Sequence, residues 1–159
     1  DVDYVILDCP PSLGLLTLNA LVAADEVLLP IQCEYYALEG VTQLMRTIEA
    51  VRHAMNKELR LGSILMTMFD GRTRLSTQVD EEVRTHFARE TMSTRIPRSV
   101  RVSEAPSYSR SVLTYEPTSA GAVAYREAAA EFAKRHACDE HSTNTSDVKH
   151  PDASDTKKG

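Results

Sequence analysis

Apolar positions along the 159-residue chain fall into short runs separated by polar turns, and their spacing alternates between two periods. Residues 2–7 (Val-Asp-Tyr-Val-Ile-Leu) form an apolar, β-branched run that predicts a buried parallel strand, stopped by Pro10 and Pro11. Residues 13–24 are helical in composition, with Ser12 as the expected N-cap. A second strand is predicted over 26–31. Over residues 37–55 the apolar positions Leu38, Val41, Leu44, Met45, Ile48, Val51 and Met55 trace one helical face. A third strand is expected at 61–69 and a charged helix at 77–89. A short apolar stretch at 92–96 precedes an irregular segment, 97–117, in which Ser, Pro and Arg break every period. Residues 119–137 read as an alanine-rich helix, and the polar run 138–159 as a disordered tail with too little apolar surface to offset ordering entropy. Strands alternating with helices predict one α/β domain over 1–137, a parallel sheet covered on both faces.

In such a sheet, ligands bind beyond the carboxyl ends of the strands. The residues there are Asp8-Cys9-Pro10-Pro11-Ser12, Gln32-Cys33-Glu34-Tyr35-Tyr36, Asp70-Gly71-Arg72 and Pro97-Arg98. A carboxylate on a strand tip, such as Asp8, suits Mg²⁺ service or, more blandly, capping of the next helix. Composition is that of a soluble globular domain: 42% hydrophobic, 26% charged, formal net charge -5. That average conceals an asymmetry, because residues 1–59 carry 3 basic and 9 acidic side chains whereas 60–110 carry 9 arginines and 6 acids. Arginine without lysine favours planar, bidentate phosphate contact, and Arg72, Arg74, Arg95, Arg98, Arg101 and Arg110 are the candidates. The plainer reading is solvation of helices, as expected for Arg84 and Arg89. His136, Cys138 and His141 have the look of a metal cluster but lack a fourth ligand at usual spacing. Cys9 and Cys33 read as buried small hydrophobes rather than redox groups. No stretch has the length of a membrane span, and the three scattered cysteines point to a reducing cytoplasm.

Four ordered blocks carry a family resemblance. These are Asp3-Tyr4-Val5-Ile6-Leu7-Asp8-Cys9-Pro10-Pro11-Ser12-Leu13-Gly14 with its continuation to Leu21, Gln32-Cys33-Glu34-Tyr35-Tyr36-Ala37-Leu38-Glu39-Gly40, Thr67-Met68-Phe69-Asp70-Gly71-Arg72-Thr73, and Ile96-Pro97-Arg98-Ser99-Val100-Arg101-Val102-Ser103-Glu104-Ala105-Pro106-Ser107. Over residues 1–136 the chain resembles the ParA/Soj partition ATPases, which have a P-loop NTPase-like parallel sheet flanked by helices. The resemblance implies ATP and Mg²⁺ as cofactors, with Asp8 matching the Mg²⁺-supporting aspartate and residues 10–14, including Pro10, a switch that senses the γ-phosphate. Thr67, Met68, Pro97 and Arg98 match the adenine pocket, Arg72 and Arg101 match arginines that bind nonspecific DNA, and Glu34 and Tyr35 belong to a dimer-facing surface. It further implies ATP-dependent homodimers, a ParB-type partner that stimulates hydrolysis, service in chromosome or plasmid partitioning, and a bacterial, cytoplasmic, nucleoid-associated location.

Ser99, Arg74 and Ser109 depart from the family pattern. A larger departure is that the six glycines are isolated and lysine occurs only at 57, 134, 149, 157 and 158, so no glycine-rich loop with a phosphate-reaching lysine is present. The sheet is therefore expected to be incomplete at its N-terminal side, and the chain to be inactive in ATP hydrolysis alone. Two alternatives stand beside a partition ATPase: a truncated, non-catalytic DNA- and partner-binding module, and a MinD-like membrane-associated ATPase. The second is disfavoured by a tail carrying 3 basic and 5 acidic residues from 138 onward.

Overall fold

The computed structural model describes residues 2–10 and 14–143, with side chains to 137. Three parallel strands, β1 (Glu26–Gln32), β2 (Arg60–Phe69) and β3 (Thr91–Pro97), pair in the order β1-β2-β3. Parallel strands require crossovers, and here these are helices. Helix α2 (Ala37–Ala54) joins β1 to β2, and α3 (Arg74–His86) joins β2 to β3. The remaining elements are α1 (Leu15–Ala23) before the sheet and α4 (Val100–Glu104), a 3-10 turn at Ala105–Tyr108, α5 (Val112–Tyr115) and α6 (Ala120–Thr143) after it.

Side-chain alternation along β2 sorts the core into two layers. Ile64 and Met66, both fully buried, face α2 and α3 through Val41, Val79 and Val83. Leu65 points the other way, to Met92, Ile96 and the Ala124, Ala128 and Phe132 face of α6. Helix α1 packs outside α2, with Leu21 against Ile48, Val51 and Leu59. Asn56 ties the turn after α1 by donating to the carbonyls of Leu21, Val22 and Ala24. Near the far end of the sheet, α4 crosses α6 so closely that a Cβ on Gly121 would stand 2.5 Å from Val102 Cγ2.

Two polar clamps hold helices to β3. Asp80 on α3, with its side chain 4% exposed, receives two-point contacts from both Arg95 on β3 (2.6–2.9 Å) and Arg84 (3.0–3.1 Å). Burial raises its pKa, but the hydrogen bonds and charges of the two guanidinium groups prevail and the net shift is downward. Glu131 on α6 accepts from the backbone N–H groups of Ser93 and Thr94, from the Thr94 hydroxyl and from Arg135. Arg135 in turn donates to the carbonyls of Arg89, Glu90 and Thr91.

The structure corrects the sequence at several points. Residues 2–10 form no strand, with Val5 and Ile6 about four-fifths exposed. An apolar run specifies a buried strand only when both neighbours are present to pair with it, and this one touches the fold mainly through the Tyr4 ring, which packs on Phe132 and His136. The 97–117 segment is not an irregular loop; it folds into α4, the 3-10 turn and α5, elements too short to show a periodicity. Arg84 and Arg95 are structural, consumed by Asp80. Helix α3 starts at Arg74, ahead of the expected Thr77, because the Thr73 side chain caps it by accepting from the Ser76 N–H. Helix α6 continues past Ala137 to Thr143. The expected cap Ser12, with Pro11 and Leu13, and residues 144–159 lie outside the described residues.

Two outcomes follow from this packing. Burial raises the Glu131 carboxyl, but its four donors outweigh that and hold it at about 2, below the ordinary 4.5. A depressed carboxylate stabilises above its unfolded pKa and loses that contribution as pH falls through the folded value. Glu131→Gln should therefore cost on the order of 2–3 kcal/mol at neutral pH, and the gap from the parent should close between about pH 4.5 and 2 in urea melts. Exposed Val5, Ile6 and Leu28 should make the isolated chain bind a hydrophobic dye and self-associate; a monodisperse, dye-silent profile in gel filtration would contradict this.

Candidate functional site at the carboxyl rim of the sheet

All three strands end on one rim, and hydrogen bonds lock the ends in register. The Cys33 N–H donates to the Thr67 carbonyl, the Thr67 hydroxyl donates to the Ile31 carbonyl, and the Arg98 N–H donates to the Phe69 carbonyl. Phe69 and Pro97 are paired across β2 and β3. Thr67 and Met68 at the end of β2 thereby lie beside Pro97 and Arg98 at the end of β3. Met68 adopts φ 54°, a left-handed conformation rare outside glycine, where the β2–β3 register shifts between Met66 and Phe69. This bulge turns Met68 toward an open cleft that Asp8, Pro10, Glu34, Tyr35 and Arg98 also line. The cleft runs the length of the sheet face, bounded by residues 2–10 on one side and the free edge of β1 on the other.

Charge on the rim is arranged in pairs. Arg98 faces Glu34 at 3.5 Å, with both side chains more than half exposed. Asp70 grips Arg72 at two points, Nε to Oδ1 and one terminal nitrogen to Oδ2, each 2.9 Å, while the Arg72 side chain is 90% exposed. The Arg72 side-chain bond, then its backbone N–H, hold Asp70 at about 2. On α4, Arg101 contacts Glu104 at 3.2 Å. Tyr35 and Tyr36 project from the β1–α2 turn as an exposed edge-to-face pair, centroids 5.2 Å apart.

The other candidates separate cleanly. Cys33 is buried, and burial raises its thiol pKa despite the Ser76 hydroxyl beside it, so it is a protonated core group. Cys9 is exposed, contrary to its reading as a buried hydrophobe, because residues 2–10 do not enter the sheet. His136 meets Glu26 on β1 and stacks near Phe132, which fixes the last turns of α6 to the sheet; Cys138 and His141 side chains lie outside those described. Among the described residues no group of three or more metal-type side chains converges. No helix among them is long and apolar enough to cross a membrane. Sequence reasoning placed Asp70 at a strand end without a role; an acid two residues before an arginine in a turn was the available signal.

Known proteins give this rim its context. A family model described as an AAA domain matches residues 1–61. The sporulation initiation inhibitor protein Soj of Bacillus subtilis is 52% identical over 82% of this chain and 52% of its own length. The chromosome partitioning protein ParA of Myxococcus xanthus is 50% identical over 85% of this chain and 48% of its own. Among solved structures, a cobyrinic acid a,c-diamide synthase of Mycobacterium smegmatis with bound ADP and magnesium superposes with TM-score 0.58 at 40% identity, over 76% of this chain and 42% of that one. The cell division ATPase MinD of Pyrococcus furiosus superposes with TM-score 0.66 at 22% identity, over 83% and 52%, a likeness of fold alone. The parallel sheet flanked by helices is thus of the P-loop NTPase class. Over the stretch shared with Soj and ParA, the chain belongs to the ParA/Soj family. It spans about half the length of the curated relatives it matches.

Left-handed backbone at Met68 has a measurable cost. Met68→Val, which places a β-branched side chain at φ 54°, should destabilise by about 1–2 kcal/mol, whereas Met68→Gly should be near neutral, read by urea denaturation. Equal losses for both variants would remove the backbone explanation.

Proposed function

We propose that this chain is the part of a ParA-type partition ATPase that carries the base-binding rim and the DNA-facing arginines. The observation that supports it most is the junction of Thr67 and Met68 with Pro97 and Arg98 across the paired ends of β2 and β3, with Arg72 and Arg101 just beyond on the elements that follow. ATP is the nucleotide in this reading, its adenine against those four residues. Asp8 offers one anionic oxygen on the same cleft, a donor suited to Mg²⁺ that takes its other ligands from phosphate and water. The metal would offset phosphate charge, and this chain's own contribution there is to orient the nucleotide. Pro10 opens the segment that follows Asp8, whose Pro11, Ser12 and Leu13 lie outside the described residues.

The exposed Tyr35, with Glu34, faces a second copy, so that ATP-dependent dimers bind nonspecific DNA and a ParB-type partner stimulates turnover in the bacterial cytoplasm on the nucleoid. Plasmid and chromosome service are both open to this chemistry. Positioning of attacking water and cradling of the phosphates are absent from these 159 residues, which contain no glycine-rich loop with lysine. The chain by itself therefore does not hydrolyse ATP.

DNA affinity measured by anisotropy as a function of salt tests the reading. Each phosphate contact adds roughly 0.9 to the slope of log affinity against log salt, so Arg72→Ala/Arg101→Ala should lower the slope by about 2 and weaken binding to unrelated duplexes equally. An unchanged slope would refute the DNA assignment, and ATP turnover by the chain alone would refute the division of labour.

A further inference from the structure

The two arginines assigned to DNA share an arrangement that the assignment does not require. Arg72 lies in the turn between β2 and α3, and its guanidinium is already chelated by Asp70 through Nε and a terminal nitrogen. Asp70 is itself fixed. Its N–H donates to Ser76 Oγ, its carbonyl accepts from the Thr73 N–H and hydroxyl, and Oδ1 accepts from the Arg72 N–H as well. The carboxylate is thus anchored in the cap of α3, while the arginine it holds is almost wholly in solvent. Arg101 repeats the pattern on α4. Its guanidinium contacts Glu104 three residues on, and the Tyr115 hydroxyl flanks it, from a ring that stacks on Tyr108 with centroids 4.9 Å apart and planes 19° apart.

Burial distinguishes these pairs from the structural one. Asp80 is sealed from water between Arg84 and Arg95, where exchange of partner would leave a buried charge uncompensated. In the Asp70–Arg72 and Glu104–Arg101 pairs the arginine side chains are 90% and 55% exposed and the acids 19% and 40%, so water reaches each guanidinium and screens the attraction. A phosphate presents the same two-oxygen edge to a guanidinium as a carboxylate does. The exchange of one for the other is therefore low in cost, yet while the carboxylate stays it cancels the arginine's charge and removes its attraction for an approaching phosphate.

Resting on the DNA reading above, we propose that Asp70 and Glu104 restrain DNA binding: each occupies its arginine in the free protein and must give way to a backbone phosphate, which keeps nonspecific affinity low. Neutralising both would raise the charge balance of residues 60–110 from +3 to +5.

The test uses the full chain and a mixed-sequence duplex, with Asp70→Asn, Glu104→Gln and the pair together, from about 50 to 200 mM salt. Each carboxylate variant should bind about two- to five-fold tighter, with the gain largest at low salt. The gain from Asp70→Asn should vanish in an Arg72→Ala background, and that from Glu104→Gln in an Arg101→Ala background. Loss of any negative charge near DNA tightens binding somewhat, so the dependence of the gain on its own arginine is what marks the restraint. The Glu104 side chain makes no cap hydrogen bond, so Glu104→Gln keeps the test open should Asp70→Asn lower the melting temperature. Weaker or unchanged binding in Glu104→Gln and in a folded Asp70→Asn overturns the proposal while leaving the DNA assignment intact. Loss of all effect from Arg72→Ala/Arg101→Ala overturns both.

Discussion

Parallel pairing of β2 with both of its neighbours is the constraint on which the rest of the molecule depends. A parallel neighbour cannot be reached by a tight turn, so each connection must climb back over a face of the sheet, and the residues that do so become α2 and α3. The same geometry sends every strand the same way. Gln32, Phe69 and Pro97 consequently finish at one rim, and Met68 at the end of β2 with Glu34, Arg72 and Arg98 in the loops that follow lie in a common neighbourhood. The chemistry of the rim is a by-product of strand direction before it is a property of any side chain.

Burying β2 on both faces exacts a consistent pattern from its sequence. Ile64 and Met66 fill one layer and Leu65 the other, with Ser63 Oγ left as a buried hydroxyl without a partner among the described residues. β1 is less well served. Pro30 sits in it with no N–H to offer, and the Cys33 bond to β2 places the Pro30 and Gln32 backbone groups on the opposite, open edge. Leu28 is exposed on the same strand and lines one cleft with residues 2–10, which form no strand. Apolar surface on both sides of that cleft is what a further parallel element would cover.

Much of this was legible in the sequence, for reasons that particular residues make plain. The 3.6-residue period of Leu38 to Val51 and the apolar run before Phe69 report directly on which surfaces are buried, and α2 and β2 match them within a residue or two. Residues 2–7 carry the same signal and end unpaired, because composition registers a preference for burial and says nothing of whether the neighbours are there. Helices α4 and α5 are four or five residues long, too short for any period to emerge, and are held by Ala105, Val112 and Ala122 packing against one another. The rim was anticipated as a set of strand ends; the Met68 bulge was not, since nothing in its local sequence distinguishes a left-handed methionine from an ordinary one.

Arginine shows the same division most sharply. Nine occur between residues 60 and 110, and among the six that the sequence offers to phosphate, Arg72 and Arg95 look alike. What divides them is the exposure of the pair that each one makes: the Arg95 and Asp80 side chains are 38% and 4% exposed, those of Arg72 and Asp70 90% and 19%. Arg95 meets Asp80 fifteen positions away in a buried setting, so its charge is spent on fastening α3 to β3, and no local pattern could reveal a partner brought in by the fold. Arg72 meets an acid two residues away with its own side chain 90% exposed, where a charge pair is worth little and can be exchanged. The guanidinium is identical in both. Whether it builds the domain or greets a ligand depends on how far water can reach the pair it makes, a quantity that belongs to the three-dimensional structure and not to the arginine.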